Sequence, residues 1–248
     1  QLSQAMPEDF SLVMSFSGEA PAFLHELPAL DVGISSAGNA VQNALNATVQ
    51  VVSERGTGSG TLLSSQGLVL TNYHVILSAD GTTLEKVGIA LNLQNDRPPR
   101  ELFMADVLFC DEQKDLALLK IRHGYYGQVL PPNYRFPWIH LGDSEQMNIA
   151  DTLIIIGYPG VGGTGSRVSI TYSEGVVSGF ERTPLGIIFK TDAEMNHGNS
   201  GGAALNRNFE MVGVPSSIVN QEAGQIGYVH PVSFLPDEWI EIIRREQE

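Results

Sequence analysis

Cysteine is almost absent from the sequence, and this absence limits the chemistry that the chain can use. Cys110 is the only cysteine among 248 residues, so no intramolecular disulfide can form. A zinc site built from several thiolates is excluded for the same reason. The sequence also contains neither a His-Glu-x-x-His motif nor the spacing of a calcium-binding loop. We therefore expect no metal ion and no cofactor.

Basic residues are scarce relative to acidic ones. Fourteen Lys and Arg stand against 28 Asp and Glu, which gives a formal net charge of −14. Such a surface repels the phosphates of nucleic acid and of anionic membranes. Long apolar runs are also missing, since runs such as residues 153–156 are far shorter than the roughly 20 residues of a spanning helix. We expect neither a nucleic-acid partner nor an integral membrane segment.

Glycine and proline are plentiful, and with many short apolar segments they indicate a strand-rich fold. The chain has 26 Gly, 13 Pro and 42% apolar residues, enough for a sizeable core. Strand candidates recur in two blocks, separated by a segment rich in Gly, Pro and Tyr, and a helical pattern follows the second block. The predicted organisation is an N-terminal extension (1–38), a first β lobe (39–124), a linker (125–140), a second β lobe (141–235) and a C-terminal helix (236–248).

The segment Gly198-Asn199-Ser200-Gly201-Gly202 places a serine among glycines between two strand candidates. Glycines allow a sharp turn and can leave backbone N–H groups pointing into the space around the hydroxyl. This arrangement is typical of a nucleophile beside an oxyanion hole. A glycine-rich hairpin loop would give the same pattern, and at this point both interpretations stay open.

A serine nucleophile needs a histidine base and a carboxylate that orients the histidine. His74 follows Thr71-Asn72-Tyr73 at the end of an apolar strand candidate, and Asp115 begins the apolar segment 115–121. His197 and His230 are less suitable as the base, because both lie within about thirty residues of the serine in the second lobe. Asp106 and Asp111 compete with Asp115, but only Asp115 begins an apolar strand.

The sequence resembles the trypsin-like serine peptidases, and among them the HtrA/Deg-type branch. Seven segments occur in the order found in that branch, and the order His, Asp, Ser is that of the chymotrypsin class. These segments are Gly58-Ser59-Gly60, Thr71-Asn72-Tyr73-His74-Val75-Ile76, Asp115 to Ile121, Leu141-Gly142-Asp143-Ser144, Ile156 to Gly160, Gly175 to Gly179, and Thr191 to Gly202.

The resemblance implies an all-β fold of two six-stranded antiparallel β-barrels, with the catalytic groups in the cleft between them. It implies a serine endopeptidase in which Ser200 attacks the peptide carbonyl, His74 transfers the proton and Asp115 orients the imidazole. It places Gly198, Asn199 and Ser200 at the oxyanion hole. The substrates would be proteins or peptides, unfolded ones above all, with a role in protein quality control.

The resemblance also implies a set of residues around the primary specificity pocket. The acid in this set could favour Lys or Arg, whereas the apolar members favour a small or medium apolar side chain before the scissile bond. The set consists of Glu194, Met195, Val214, Ser216, Ile226, Gly227 and Tyr228.

Several points depart from the branch or stay open. His197 and Ala203 stand where the branch usually has proline. The chain leaves no room for a PDZ domain, which indicates either a shortened chain or a stand-alone peptidase. A start at Gln1 without a basic leader favours a processed, extracytoplasmic protein, periplasmic or secreted, while an organellar or cytoplasmic location stays open. Assembly into a homo-oligomer through residues 1–38 also stays open.

The alternative functions are a catalytically silent double-barrel binding or scaffold protein and, less favoured, a metal-dependent hydrolase.

Overall fold

The protein folds into two closed β-barrels, each of six antiparallel strands, in a computed structural model that describes residues 26–30, 40–159, 169–221 and 224–247. This architecture confirms the predicted fold class. The first barrel contains β1 (Thr48–Ser53), β2 (Gly56–Leu62), β3 (Leu68–Thr71), β4 (Lys86–Leu91), β5 (Arg100–Asp111) and β6 (Leu116–Gly124). Around this barrel the strands follow the order β1-β2-β3-β6-β5-β4.

The second barrel has the strand order β10-β11-β12-β9-β8-β7. Its strands are β7 (Thr152–Gly157), β8 (Thr171–Thr183), β9 (Gly186–Thr191), β10 (Ala203–Leu205), β11 (Met211–Gln221) and β12 (Gly224–Pro231). Helix α1 (Ala40–Ala47) precedes the first barrel, and helix α2 (Asp237–Gln247) follows the second. Neither helix combines the length and the apolarity needed to cross a bilayer.

Glycines of β2 let the wall of the first barrel close tightly. The stretch from Gly56 to Gly60 forms the first part of β2, which precedes β3 and His74. A Cβ atom on Gly60 would lie 2.7 Å from Val69 Cγ1 and 3.0 Å from Val51 Cγ2. Both valines are fully buried, so the barrel interior has no space for a side chain at position 60.

Helix α2 returns from the second barrel to pack on the first. Its apolar side is buried through Trp239 and Ile243, and Glu246 accepts hydrogen bonds from Lys120 Nζ and Ser64 Oγ, each at 2.7 Å. Gln247 Nε2 donates to the Leu63 carbonyl at 2.8 Å. The helix therefore fastens the second barrel to the back of the first.

Candidate active site

His74 and Asp115 meet in the first barrel, at the place where β3 ends and β6 begins. His74 lies in a short 3-10 helix, Tyr73–Ile76, which follows β3, and Asp115 directly precedes β6. The imidazole Nδ1 lies 3.0 and 2.9 Å from the two carboxylate oxygens of Asp115, and the amide N–H of His74 donates to Oδ1 at 3.0 Å. Asp115 has a positive φ of 52°, and Asn72 Nδ2 holds its carbonyl oxygen at 2.7 Å.

The carboxylate of Asp115 fixes the tautomer of the imidazole. Burial alone would raise the pKa of this carboxyl, but hydrogen bonds from the ring and amide of His74, the nearby imidazole charge and the hydroxyl of Ser216 outweigh burial and lower the pKa. An ionised carboxylate only accepts hydrogen bonds, so Nδ1 of His74 carries the hydrogen. Nε2 keeps its lone pair and is the nitrogen that can accept a proton.

Ser216 supports Asp115 from the second barrel. Its Oγ donates to Asp115 Oδ2 at 3.0 Å. The sequence places Ser216 among the residues of the specificity pocket, but does not indicate this contact. The hydrogen bond joins residues 101 positions apart, so it arises only when the two barrels are assembled.

The loop that carries Ser200 is shaped by two glycines and anchored on the first barrel. Gly198 and Gly201 have φ values of +99° and +84°. A Cβ atom on Gly201 would collide with the carbonyl oxygen of Ser59 and with Thr71 Oγ1. The Ser59 amide donates to the carbonyl of Ser200 at 2.8 Å. This contact brings the loop of the second barrel against β2 of the first barrel.

The hydroxyl of Ser200 is turned toward its own barrel. Ser200 Oγ donates to the carbonyl of Ser216 at 2.9 Å. Within the described parts of the chain, no hydrogen bond joins this hydroxyl to the imidazole of His74. His74 and Ser200 thus line one cleft, and Asp115 holds His74 through hydrogen bonds.

The predicted oxyanion hole contains two available donors rather than three. The N–H groups of Gly198 and Ser200 donate to no acceptor among the described residues. Asn199 differs, because its N–H donates to the carbonyl of Asn196 at 3.0 Å. The Asn199 amide is therefore occupied, which leaves the N–H groups of Gly198 and Ser200 as the available candidate donors.

Ser59 holds the loop of residues 198–202, called the oxyanion loop below, through its side chain. The sequence does not reveal this contact. Its fully buried hydroxyl donates to the carbonyl of Gly198 at 2.6 Å and accepts from the amide N–H of Tyr158 at 2.9 Å. Because the carbonyl carbon of Gly198 is bonded to its Cα, holding this carbonyl restricts the backbone rotation of Gly198, whose N–H is a predicted oxyanion donor. The Gly58-Ser59-Gly60 motif was the available signal, but it does not say what the hydroxyl contacts.

The predicted specificity residues separate into buried and exposed members. Met195 and Val214 are buried, whereas Glu194 is exposed and accepts a hydrogen bond from Asn196 Nδ2 at 3.3 Å. A Cβ atom on Gly227 would collide with Met195 Sδ, so the thioether lies directly over this glycine. Ile226 and Tyr228 are half-buried on β12. Tyr228 directs its hydroxyl to Glu181 Oε2 at 3.1 Å.

A second histidine lies behind Asp115. His230 is half-buried on β12, and its Nδ1–H donates to the carbonyl of Lys114 at 3.1 Å. Burial lowers the pKa of this imidazole, against the opposing effects of the Asp115 charge and the Lys114 hydrogen bond, and the nearby His74 lowers it further. His230 thus contacts the peptide that leads into Asp115.

The cleft opens into a cavity of about 460 Å³ between the barrels. Arg55, Thr57 and His74 line it from the first barrel, and His197, Gly198 and Ser200 from the second. No group of three or more His, Cys, Asp or Glu in the described ranges is arranged to hold a metal ion.

Comparison with known proteins points to one family. A family model described as a trypsin-like peptidase domain matches residues 58–214. The chain is 35% identical over 179 residues to the periplasmic pH-dependent serine endoprotease DegQ of Escherichia coli K12, covering 69% of this chain and 33% of DegQ. It is 29% identical over 197 residues to the serine endoprotease DegS of Haemophilus influenzae, covering 75% of this chain and 50% of DegS. The chain thus spans between a third and a half of these relatives.

Solved structures give the same result. The structure of the HtrA-type protease AlgW with a tripeptide matches with a TM-score of 0.63 at 29% identity, covering 86% of this chain and 65% of AlgW. AlgW with a decapeptide matches with a TM-score of 0.59 at 25% identity.

Proposed function

We propose that the chain, which belongs to the trypsin-like peptidase family, is a serine endopeptidase that acts through Ser200, His74 and Asp115. The relatives confirm its resemblance to the HtrA/Deg branch. One observation carries the proposal: an imidazole held at 2.9 Å by an ionised carboxylate shares a cleft with a serine whose loop has two N–H groups without an acceptor among the described residues. A scaffold without turnover has no need for this combination.

The first half of the reaction uses the geometry as follows. Ser200 Oγ leaves the carbonyl of Ser216, gives its proton to His74 Nε2 and forms a bond to the carbonyl carbon of the substrate. The N–H groups of Gly198 and Ser200 stabilise the negative charge on the carbonyl oxygen, and one such donor is worth about 2.7 to 4 kcal/mol. His74 then protonates the leaving amine as the carbon–nitrogen bond breaks, and Asp115 stabilises the imidazolium.

The second half releases the acyl group. A water molecule gives a proton to His74 Nε2 and attacks the ester carbon, and the proton returns to Ser200 Oγ as the carbon–oxygen bond breaks. The lowered pKa of Asp115 keeps its carboxylate charged near neutral pH, so the orienting charge persists through both halves.

The pocket for the residue before the scissile bond favours small or medium apolar side chains. Met195 is buried against Gly227, which limits the depth of the pocket. Glu194 is exposed and accepts a hydrogen bond from Asn196. Its carboxylate is therefore not buried at the base of the pocket, where it would pair with a substrate Lys or Arg. Val214 adds an apolar wall.

The substrates and the place of action follow the relatives. DegQ is named as a periplasmic endoprotease, and the AlgW structures contain bound peptides. On this basis the chain acts on unfolded proteins or peptides outside the cytoplasm, in protein quality control. A homo-oligomeric form is an additional part of this hypothesis, to be tested by light scattering.

A fluorophosphonate probe and a protein digest test the activity together. The wild-type chain is expected to form a covalent adduct at Ser200 and to cleave reduced, unfolded casein, with the products identified by mass spectrometry. Ser200→Ala is expected to lose both reactions. Ser233→Ala, which changes an exposed serine of the second barrel, is the matched control and retains both. Absence of adduct and cleavage in the wild type would favour the scaffold alternative.

A further inference from the structure

The cavity beside Ser200 is basic, although the chain as a whole is strongly acidic. Arg55, His74 and His197 line it, and none of its lining residues is Asp or Glu. Acidic residues outnumber Lys and Arg in the chain by 28 to 14. The charge of this cavity lining is therefore opposite in sign to the net charge of the chain.

Arg55 has no charged partner in the described parts of the chain. It lies exposed in the turn that joins β1 and β2, and it makes no hydrogen bond or ion pair with any described residue. Its five guanidinium N–H donors are therefore available to a ligand. His197, also exposed, lines the cavity from the second barrel.

The position of the cavity identifies which part of a substrate would enter it. His74 must protonate the leaving amine, so the chain that follows the scissile bond departs on the side of the imidazole. The cavity includes His74, Val75 and Ser200 but no residue of β11 or β12. Those two strands carry the expected specificity pocket for the residue before the scissile bond. The basic cavity thus lies on the leaving-group side.

From this arrangement we propose that the cavity between Arg55 and His197 is a subsite for acidic side chains, Asp or Glu, at the second position after the scissile bond. The inference rests on the proposed function and adds a substrate class to it. The guanidinium pairs with the substrate carboxylate at the mouth of the cavity, and the His197 ring donates a hydrogen bond from the second barrel. Cleavage sites followed by acidic residues are then preferred to sites followed by neutral or basic ones.

Matched peptides that differ at one position test the proposal. A site taken from the casein digest is synthesised with Asp, Asn or Lys at the second position after the scissile bond, and kcat/KM is measured for each. An exposed ion pair corresponds to a change of about 1.4- to 5-fold, so we expect kcat/KM for Asp to exceed that for Asn by this factor. The kcat/KM for the Lys peptide is expected to be lower than that for the Asn peptide. The preference weakens at high ionic strength.

Variants of Arg55 assign the preference to this residue. Arg55→Gln is expected to bring the Asp-to-Asn ratio close to one, and Arg55→Glu to reverse the order so that Lys is preferred. Arg97→Gln removes an exposed arginine that does not line the cavity and leaves the ratio unchanged. Equal kcat/KM for Asp and Asn in the wild type, or an undiminished ratio in Arg55→Glu, would overturn the proposal while leaving the peptidase function intact.

Binding to an inactive variant separates the subsite from catalysis. Fluorescence anisotropy with Ser200→Ala is expected to show tighter binding of the Asp peptide than of the Asn peptide, by a similar factor. If this difference is present but the wild type hydrolyses the peptides no faster than Ser200→Ala does, the endopeptidase function assigned to Ser200 fails and the acidic subsite stands. If the Ser200→Ala variant binds both peptides equally, the subsite is refuted whatever the hydrolysis assay shows.

Discussion

Removing the hydroxyl of Ser59 provides a direct test of how the oxyanion loop is held. In Ser59→Ala the Gly198 carbonyl loses a donor at 2.6 Å and the Tyr158 amide loses an acceptor at 2.9 Å. Leaving one buried polar group unsatisfied costs about 1 to 3 kcal/mol. Because the two groups can partly recover through rearrangement, we expect the free energy of unfolding to fall by about 2 to 4 kcal/mol.

The catalytic effect of Ser59→Ala should exceed what lost stability explains. If the peptide at Gly198 turns so that its N–H no longer faces the oxyanion, the loss approaches the 10²- to 10³-fold fall in kcat that follows removal of one donor. We expect kcat to fall by about 10-fold or more toward that limit. KM should change little, because the ground-state carbonyl uses these donors less than the oxyanion does.

The measurement needs conditions under which every variant is folded. We would measure kcat and KM for a peptide substrate well below the unfolding transition, and obtain stability from urea unfolding. Thr48→Val is the matched control, since it removes a fully buried hydroxyl whose hydrogen bond goes to the Ala44 carbonyl and not to the oxyanion loop. A Ser59→Ala variant that is destabilised like the control, with kcat within twofold of wild type, would refute the positioning role.

Three further predictions concern the specificity pocket and two titrating side chains. Met195→Ala should deepen the pocket and raise kcat/KM for large apolar residues before the scissile bond relative to alanine by about 10- to 200-fold, measured on a peptide series; an unchanged preference would exclude Met195 from the pocket. Ser216→Ala should raise the lowered pKa of Asp115. The stabilisation by the Asp115 carboxylate is complete above its unfolded-state pKa of about 3.9 and is lost as the pH falls through the folded pKa. The acid-unfolding midpoint should therefore move to higher pH, and an unmoved midpoint would contradict this. The pKa of His230 is lowered by burial, so the unfolded chain binds its proton more readily, and wild-type stability should fall as the pH drops below about 6.5, by at most about 1.4 kcal/mol per pH unit. His230→Asn should flatten this dependence in urea unfolding at pH 7.5 and 5, and an identical slope would exclude His230 as its source.

The three predicted catalytic residues could be found from the sequence because each lies in a local pattern. The residues that indicate each role lie within a few positions of it: an apolar strand precedes His74, an apolar strand follows Asp115, and glycines surround Ser200. The domain limits and the catalytic roles remain predictions, and most of the N-terminal extension lies outside the described residues. The two barrels and the terminal helix, in contrast, are confirmed by the fold.

The contacts that the sequence did not reveal are long-range ones. Ser59 meets Gly198 across 139 positions, and Ser216 meets Asp115 across 101. A serine in a glycine-rich strand has no local feature that indicates its distant partner. Strand β10 was missed for another reason, since its three residues, Ala203–Leu205, are too few to show alternation.

The return of helix α2 to the first barrel affects the order in which the proposed catalytic site can be assembled during synthesis. The first barrel, with His74 and Asp115, leaves the ribosome before the nucleophile, and it waits for α2 until the whole second barrel has emerged. Until then the sites that will receive Glu246 and Gln247, at Lys120, Ser64 and the Leu63 carbonyl, face solvent. The proposed base and nucleophile are therefore on different barrels and are synthesised at different times. The proposed catalytic residues can therefore meet only after the second barrel has been synthesised and has packed against the first.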